Sequence, residues 1–168
     1  FPFDAVAAGR LKLARPQLFS FERLVTLAKS QATRRYVAEN KLPADVLQRI
    51  DYDAHGKIRF NADNALFRDG PGQFPVTFFH LGRYFRTPVH MHVIESASGD
   101  NSAREILYDS AYFSLPDDSP ARKLPAGAGF AGFRLHESRF GDVKKRPWQT
   151  NDWVAFLGAS YFRALGEI

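Results

Sequence analysis

The side chains with the most chemical potential are gathered between Asn151 and Gly166, in the run Asn-Asp-Trp-Val-Ala-Phe-Leu-Gly-Ala-Ser-Tyr-Phe-Arg-Ala-Leu-Gly. Four aromatics, one arginine and one serine hydroxyl fall within it, and Gly158 and Ala159 leave room for the close approach of a second backbone or a ligand. That mix suits a sugar. Flat aromatic faces pack on the apolar C–H faces of a pyranose, while Arg163, Tyr161 and Ser160 offer fixed donors and acceptors to its hydroxyls. The same rings are equally the ingredients of an ordinary core. With Trp148 just upstream, the candidate substrate-contacting residues are Trp148, Trp153, Tyr161, Phe162 and Arg163.

Other constellations carry less. His90-Met91-His92 places two imidazoles on one face of an expected strand, with His80 on a neighbouring strand, which is how a metal site begins. Zinc asks for three or four ligands with supporting partners; the chain has no cysteine and no carboxylate at motif spacing, so no metal is expected. Gly158-Ala159-Ser160-Tyr161-Phe162 resembles a nucleophile elbow until Phe162, where the sharp turn needs a small residue. Gly127-Ala128-Gly129-Phe130-Ala131-Gly132 has the outline of a dinucleotide loop but opens no expected helix, so no phosphate cofactor is expected. Glycoside hydrolysis needs two carboxyl groups across the scissile bond. Asp109, Glu137, Asp142 and Asp152 are available, and spacing along the chain does not say which converge.

The elements that position these residues follow from composition and periodicity. The chain has 168 residues, 45% hydrophobic and 24% charged, which is enough for one domain with a real core and unlike a disordered chain. A net charge of +5 raises the question of nucleic acid, but the basic residues are scattered among acids, so no nucleic-acid partner is expected. The densest basic cluster, Lys144-Lys145-Arg146, lies between Gly141-Asp142 and Pro147 and reads as an exposed loop. No apolar run is long enough to span a bilayer, and Phe1-Pro2-Phe3-Asp4 has no signal-peptide features, so any leader is expected to be already removed.

Residues 1–17 read as an extended arm. Ser20 predicts an N-cap for an amphipathic helix to about Glu39, and Pro43 opens a second to about Ile50. From Asp51 the texture changes to short β-branched and aromatic runs between turn residues. Strands are predicted at Lys57–Phe60, Phe74–Leu81, Tyr84–Arg86, Val89–Glu95, Glu105–Tyr108, Tyr112–Ser114, Phe130–Glu137 and Trp153–Leu157. A tight hairpin turn is expected at Leu81-Gly82-Arg83. The fold class is mainly β, part of a β-sandwich preceded by a short helical region at about 20–50.

The run Val154-Ala-Phe-Leu-Gly-Ala-Ser-Tyr-Phe-Arg-Ala-Leu-Gly166 resembles the signature of the periplasmic glucan biosynthesis proteins G and D. In order, Ile50-Asp51-Tyr52-Asp53-Ala54, Lys57-Ile58-Arg59-Phe60, Gln73-Phe74-Pro75-Val76, Phe79-His80-Leu81-Gly82-Arg83 and Gly129-Phe130-Ala131-Gly132-Phe133-Arg134 match as well, nearer to the D branch. The resemblance implies a galactose-mutarotase-like β-sandwich followed by an immunoglobulin-like domain, of which residues 1–168 match only the N-terminal part. It implies a periplasmic location and action on β-1,2-linked glucose backbones as an inverting β-1,2-glucanase, or as a non-catalytic glucan-binding or scaffolding protein. It implies no metal and no cofactor, and it puts the catalytic acids downstream, so that no residue of this segment inherits that role and the segment alone is expected to be inactive.

Overall fold

Helix signals act first along the chain. In the computed structural model, which describes residues 11–37, 42–70, 73–97, 100–138, 147–158 and 160–166, the Ser20 hydroxyl accepts from the Arg23 backbone N–H and Glu22 occupies the first turn of helix α1, Phe21–Ala32. The helix stops short of the expected Glu39, which lies outside the described residues. Thr33 forms the C-cap, its hydroxyl bonded to the Ser30 carbonyl, and Arg34 and Arg35 add like charge beyond it. None of the residues of α1 is buried, so no packing energy offsets the cost of winding further. Helix α2, Ala44–Arg49, follows Pro43 as expected and sends Val46 and Leu47 into the core. A further helix, α3 at Tyr52–Gly56, stands where the texture indicated sheet; the Asp51 carboxylate caps it by accepting from the Ala54 N–H at 3.0 Å.

The strands among the described residues form three antiparallel sheets. In the first, β1 (Gln17–Leu18) pairs with β5 (Asp100–Glu105), which pairs with β4 (His92–Ala97). In the second, β2 (Arg59–Phe60) pairs with β6 (Phe113–Ser114). The third runs β3 (Val76–His80), β7 (Phe130–His136), β8 (Asp152–Leu157) and β9 (Tyr161–Ala164). Most expected strands recur with shifted ends. Val89 only bridges to Phe130, and β4 begins at His92; β5 lies mostly upstream of the expected Glu105–Tyr108, its polar residues paired with β4. The expected arm is visible at β1, while residues 1–10 lie outside the described residues, as does Lys144-Lys145-Arg146.

One expectation is overturned. Leu81-Gly82-Arg83 is not a hairpin turn and Tyr84–Arg86 is not a strand. The Arg83 N–H donates to the Ile50 carbonyl at 2.8 Å and the Gly82 N–H to the Phe85 carbonyl at 3.1 Å, so the segment folds against the end of α2. The β3 strand takes β7 as its partner, a pairing 50 residues or more away in sequence that local turn signals do not encode.

The sheets and α2 close over one cluster, the layered, mainly β arrangement of a β-sandwich. Phe130 is its centre, 2% exposed, with the rings of Phe78, Tyr108, Phe113 and Tyr112 at 4.9, 5.2, 6.2 and 6.4 Å. His80 is buried in the same cluster with both nitrogens satisfied: Nδ1–H donates to the Leu81 carbonyl at 2.8 Å, and the Tyr108 hydroxyl donates to Nε2 at 3.0 Å. Burial pushes the His80 pKa down and that of Tyr108 up to about 12, so the pair stays neutral. Truncation of Phe130 to alanine should cost about 3–5 kcal/mol, the range for a large ring removed from a core. The measurement is a fall in the urea midpoint of Phe130→Ala at unchanged slope.

Candidate functional site: a carboxylate between two arginines

Strand alternation decides which side chains share a face. Thr77, Arg134, Ala155 and Arg163 form one cross-strand row over β3, β7, β8 and β9. Two residues along, Phe79, Gly132, Leu157 and Tyr161 form a second row on the same face. Gly132 has φ +155, and a Cβ there would stand 2.1 Å from the Phe156 carbonyl oxygen, so the β8 backbone approaches β7 at this point as only glycine allows. An irregularity between Leu135 and His136 sets His136 opposite Asp152.

Asp152 is the pivot of this face. Arg134 Nη1 donates to both of its oxygens at 2.9 and 3.1 Å, and Arg163 Nη2 donates to Oδ2 at 2.9 Å. The carboxylate side chain is 19% exposed, Arg134 31% and Arg163 50%, so the pair on the two inner strands is more covered than the arginine on β9, the outer strand of the described sheet. Arg134 is fixed a second time, its guanidinium 4.3 Å from the Phe79 ring centroid. Beneath them His136 is buried, and among the described residues its Nδ1 meets no partner in good hydrogen-bond geometry, with the Trp148 backbone and, at 3.7 Å, Asp152 Oδ1 the groups that pull on it. That carboxylate favours the tautomer with the proton on Nδ1, which leaves Nε2 to accept from the Thr77 hydroxyl at 2.8 Å. Burial first, and Arg134 next, push the His136 pKa down to about 4 against the pull of Asp152, so the ring is neutral near pH 7.

The structure brings together three of the five residues expected to meet substrate. Trp148 stands edge-on to His136 at 5.1 Å, Arg163 is held by Asp152, and Tyr161, 45% exposed, lies 6.3 Å from Phe85 on the Arg163 face. Phe162 belongs to the opposite-facing row with Phe133 and Phe156, stacked at 5.1 and 6.2 Å. Trp153 packs on Phe74 at 4.5 Å. Sequence reasoning did not single out Arg134, His136 or Thr77. The two-residue spacing of Arg134 and His136 within one expected strand was visible, but not the register that sets them beside Thr77 and Asp152.

The histidines considered for a metal are spread apart: both His80 nitrogens are occupied in the core, and His90 Nδ1 meets the Glu105 carboxylate at 2.5 Å. Asp109 is tied to Lys12 and caps the Ala111 N–H, and the Lys12 bond holds its pKa below the ordinary carboxylate value. Asp142 lies outside the described residues.

Residues 19–168 match the family model described as periplasmic glucan biosynthesis protein, MdoG. The chain belongs to this family. It is 58% identical over 165 residues to glucans biosynthesis protein D 2 of Ralstonia nicotianae, covering 98% of this chain and 30% of that protein. It is 38% identical to glucans biosynthesis protein D of Xanthomonas axonopodis pv. citri, covering 97% and 28%, and 38% identical to that of Stenotrophomonas maltophilia, covering 95% and 28%. The chain therefore spans less than a third of the length of these relatives, whose names carry the D designation expected from the motifs. The family is named for the periplasm, and no helix among the described residues is long and apolar enough to cross a membrane.

The depressed His136 pKa has a consequence for stability. In the unfolded chain the ring takes up a proton near pH 6.5, and in the folded state only near 4, so its contribution is whole above 6.5 and is lost as pH falls towards 4. His80, lowered by burial, adds to the same slope. His136→Gln, which retains a polar group for Thr77, should unfold with a shallower loss of melting temperature between pH 6.5 and 4 than the parent, in paired thermal scans.

Proposed function

We propose that the full-length protein, of which this chain is the N-terminal part of a glucan biosynthesis β-sandwich domain, acts in the periplasm on β-1,2-linked glucose backbones by glycoside hydrolysis. Its family membership supports the glucan and the compartment. The observation that carries the local role is the face on which Arg163, oriented by Asp152, stands two residues from the half-exposed ring of Tyr161. A sugar ring laid on Tyr161 meets a planar donor fork beside it, the pairing that binds pyranoses. Trp148 closes the His136 end of the same wall. Asp152 has both oxygens committed to the arginines and serves as an anchor; the acid and base of an inverting hydrolase are assigned to polypeptide outside this chain.

A second reading is a non-catalytic glucan-binding or scaffolding protein, which the exposed Tyr161 ring beside the Arg163 fork fits equally well, because binding and catalysis use the same platform. Incubating the full-length protein with linear β-1,2-glucan and analysing the products separates the two: shorter oligosaccharides support hydrolysis, and binding without cleavage supports the scaffold. In either case Tyr161→Ala should weaken glucan affinity about 10-fold, the loss of roughly 1.4 kcal/mol expected for one stacking ring, measured by calorimetry. A protein that neither binds nor cleaves the polymer overturns both readings.

A further inference from the structure

Arg134 and Arg163 differ in how firmly they are held. Arg134 has two independent restraints, the Asp152 carboxylate and the Phe79 ring. Arg163 has one hydrogen bond, from Nη2 to Asp152 Oδ2, and sits half-exposed on β9, whose four residues are all exposed at the edge of the sheet. Two guanidinium groups share one carboxylate while the buried imidazole beneath them is neutral, so the cluster carries a surplus positive charge. Without the carboxylate the two cations repel, and nothing else among the described residues fixes the plane of Arg163. Its Nε–H, its Nη1 hydrogens and its second Nη2 hydrogen are not taken by any described residue, and Arg163 lies on the face that Tyr161 shares.

We propose that Asp152 is a positioning residue for ligand recognition: by taking one Nη2 hydrogen of Arg163 it fixes the plane of that guanidinium, so that the second Nη2 hydrogen and the donor parallel to it grip two adjacent hydroxyls of a glucose ring resting on Tyr161. The inference rests on the glucan-binding reading above. A β-1,2 linkage leaves the 3- and 4-hydroxyls of each internal glucose free and adjacent, and a planar fork of parallel donors matches such a pair as it matches a carboxylate. A β-1,3 linkage blocks one of the two. The face thus discriminates between linkages by whether the diol is intact, and a site that must hydrogen-bond a hydroxyl rejects the analogue lacking it more strongly than an apolar pocket rejects a size change. His136 supports the arrangement by being neutral: a protonated ring 3.7 Å from Asp152 Oδ1 would draw the carboxylate away from the arginines. The charged and titratable groups around it are Asp152 on β8, Arg134 on β7 and Arg163 on β9, with the Thr77 hydroxyl on β3 and the Trp148 ring completing its surroundings.

The test is a double-mutant cycle in the full-length protein, with affinity for linear β-1,2-gluco-oligosaccharides and β-1,3-gluco-oligosaccharides as the readout and thermal unfolding as the folding control. Arg163→Ala and Asp152→Asn should each weaken β-1,2 binding about 10-fold and leave weak β-1,3 binding unchanged. The double variant should be no weaker than either single one, because the aspartate acts only through the arginine. Where Asp152→Asn does not fold, Asp152→Glu retains the charge between the arginines and displaces its oxygens by one methylene; the same loss of linkage preference is expected. A parent protein that binds β-1,2-glucan while Asp152→Asn or Asp152→Glu retains full affinity overturns this inference and leaves the proposed function standing. So do additive losses in the cycle, or equal losses for both linkages. A parent protein that binds neither oligosaccharide overturns the glucan reading itself.

Discussion

Strand β7 is bonded along both edges, to β3 on one side and β8 on the other, and the rest of the molecule is arranged around that double pairing. Because side chains alternate, a single register fixes two surfaces at once. Phe133 goes to one side of the sheet, where the core rings collect, and Phe130 joins it through the shift in register between Phe79 and His80, while Arg134 and Gly132 go to the other. A slip of one residue would bury a guanidinium among phenyl rings. The cost of that exchange, far above the strength of any one contact on the polar face, is what makes the arginine row dependable.

The polar face obeys a different balance. Its ion pairs lie between water and core: Asp152 is mostly covered, Arg134 less so, Arg163 half open. Pairs of this kind gain more than fully exposed ones, because screening is weaker, and avoid the desolvation cost of fully buried ones. The buried imidazole under them adds no charge near neutral pH, since burial and the nearby guanidinium both oppose its protonation. The face is consequently rigid at its inner end and adaptable at its margin.

Local chemistry was legible in the sequence wherever a signal acts over a few residues. Ser20 and Pro43 marked helix starts, and short β-branched and aromatic runs between turn residues marked Phe130–His136 and the β8 run. The family was legible for a similar reason, through short motifs preserved in order. Asp51 escaped notice as a cap because its neighbours have a sheet-like texture. The strand β9 escaped because four exposed residues show no alternation of burial. The false hairpin after β3 arose because its true partner lies more than fifty residues downstream, and no turn residue encodes so distant a pairing. The candidate site was half legible for that reason: Arg163 and Tyr161 stood out by type, whereas Asp152, Arg134 and His136 acquire their roles only through cross-strand register and an irregularity in it.

The stacked row Phe133, Phe156 and Phe162 grows steadily more open across the sheet, until Phe162 is 69% exposed on a strand that has one edge unpaired among the described residues. Unsatisfied backbone groups beside uncovered rings are what template intermolecular strand addition. Produced as a free polypeptide, this segment therefore carries its own nucleus for clumping, with Lys and Arg surplus as the main opposing force, and its handling calls for low salt rather than high.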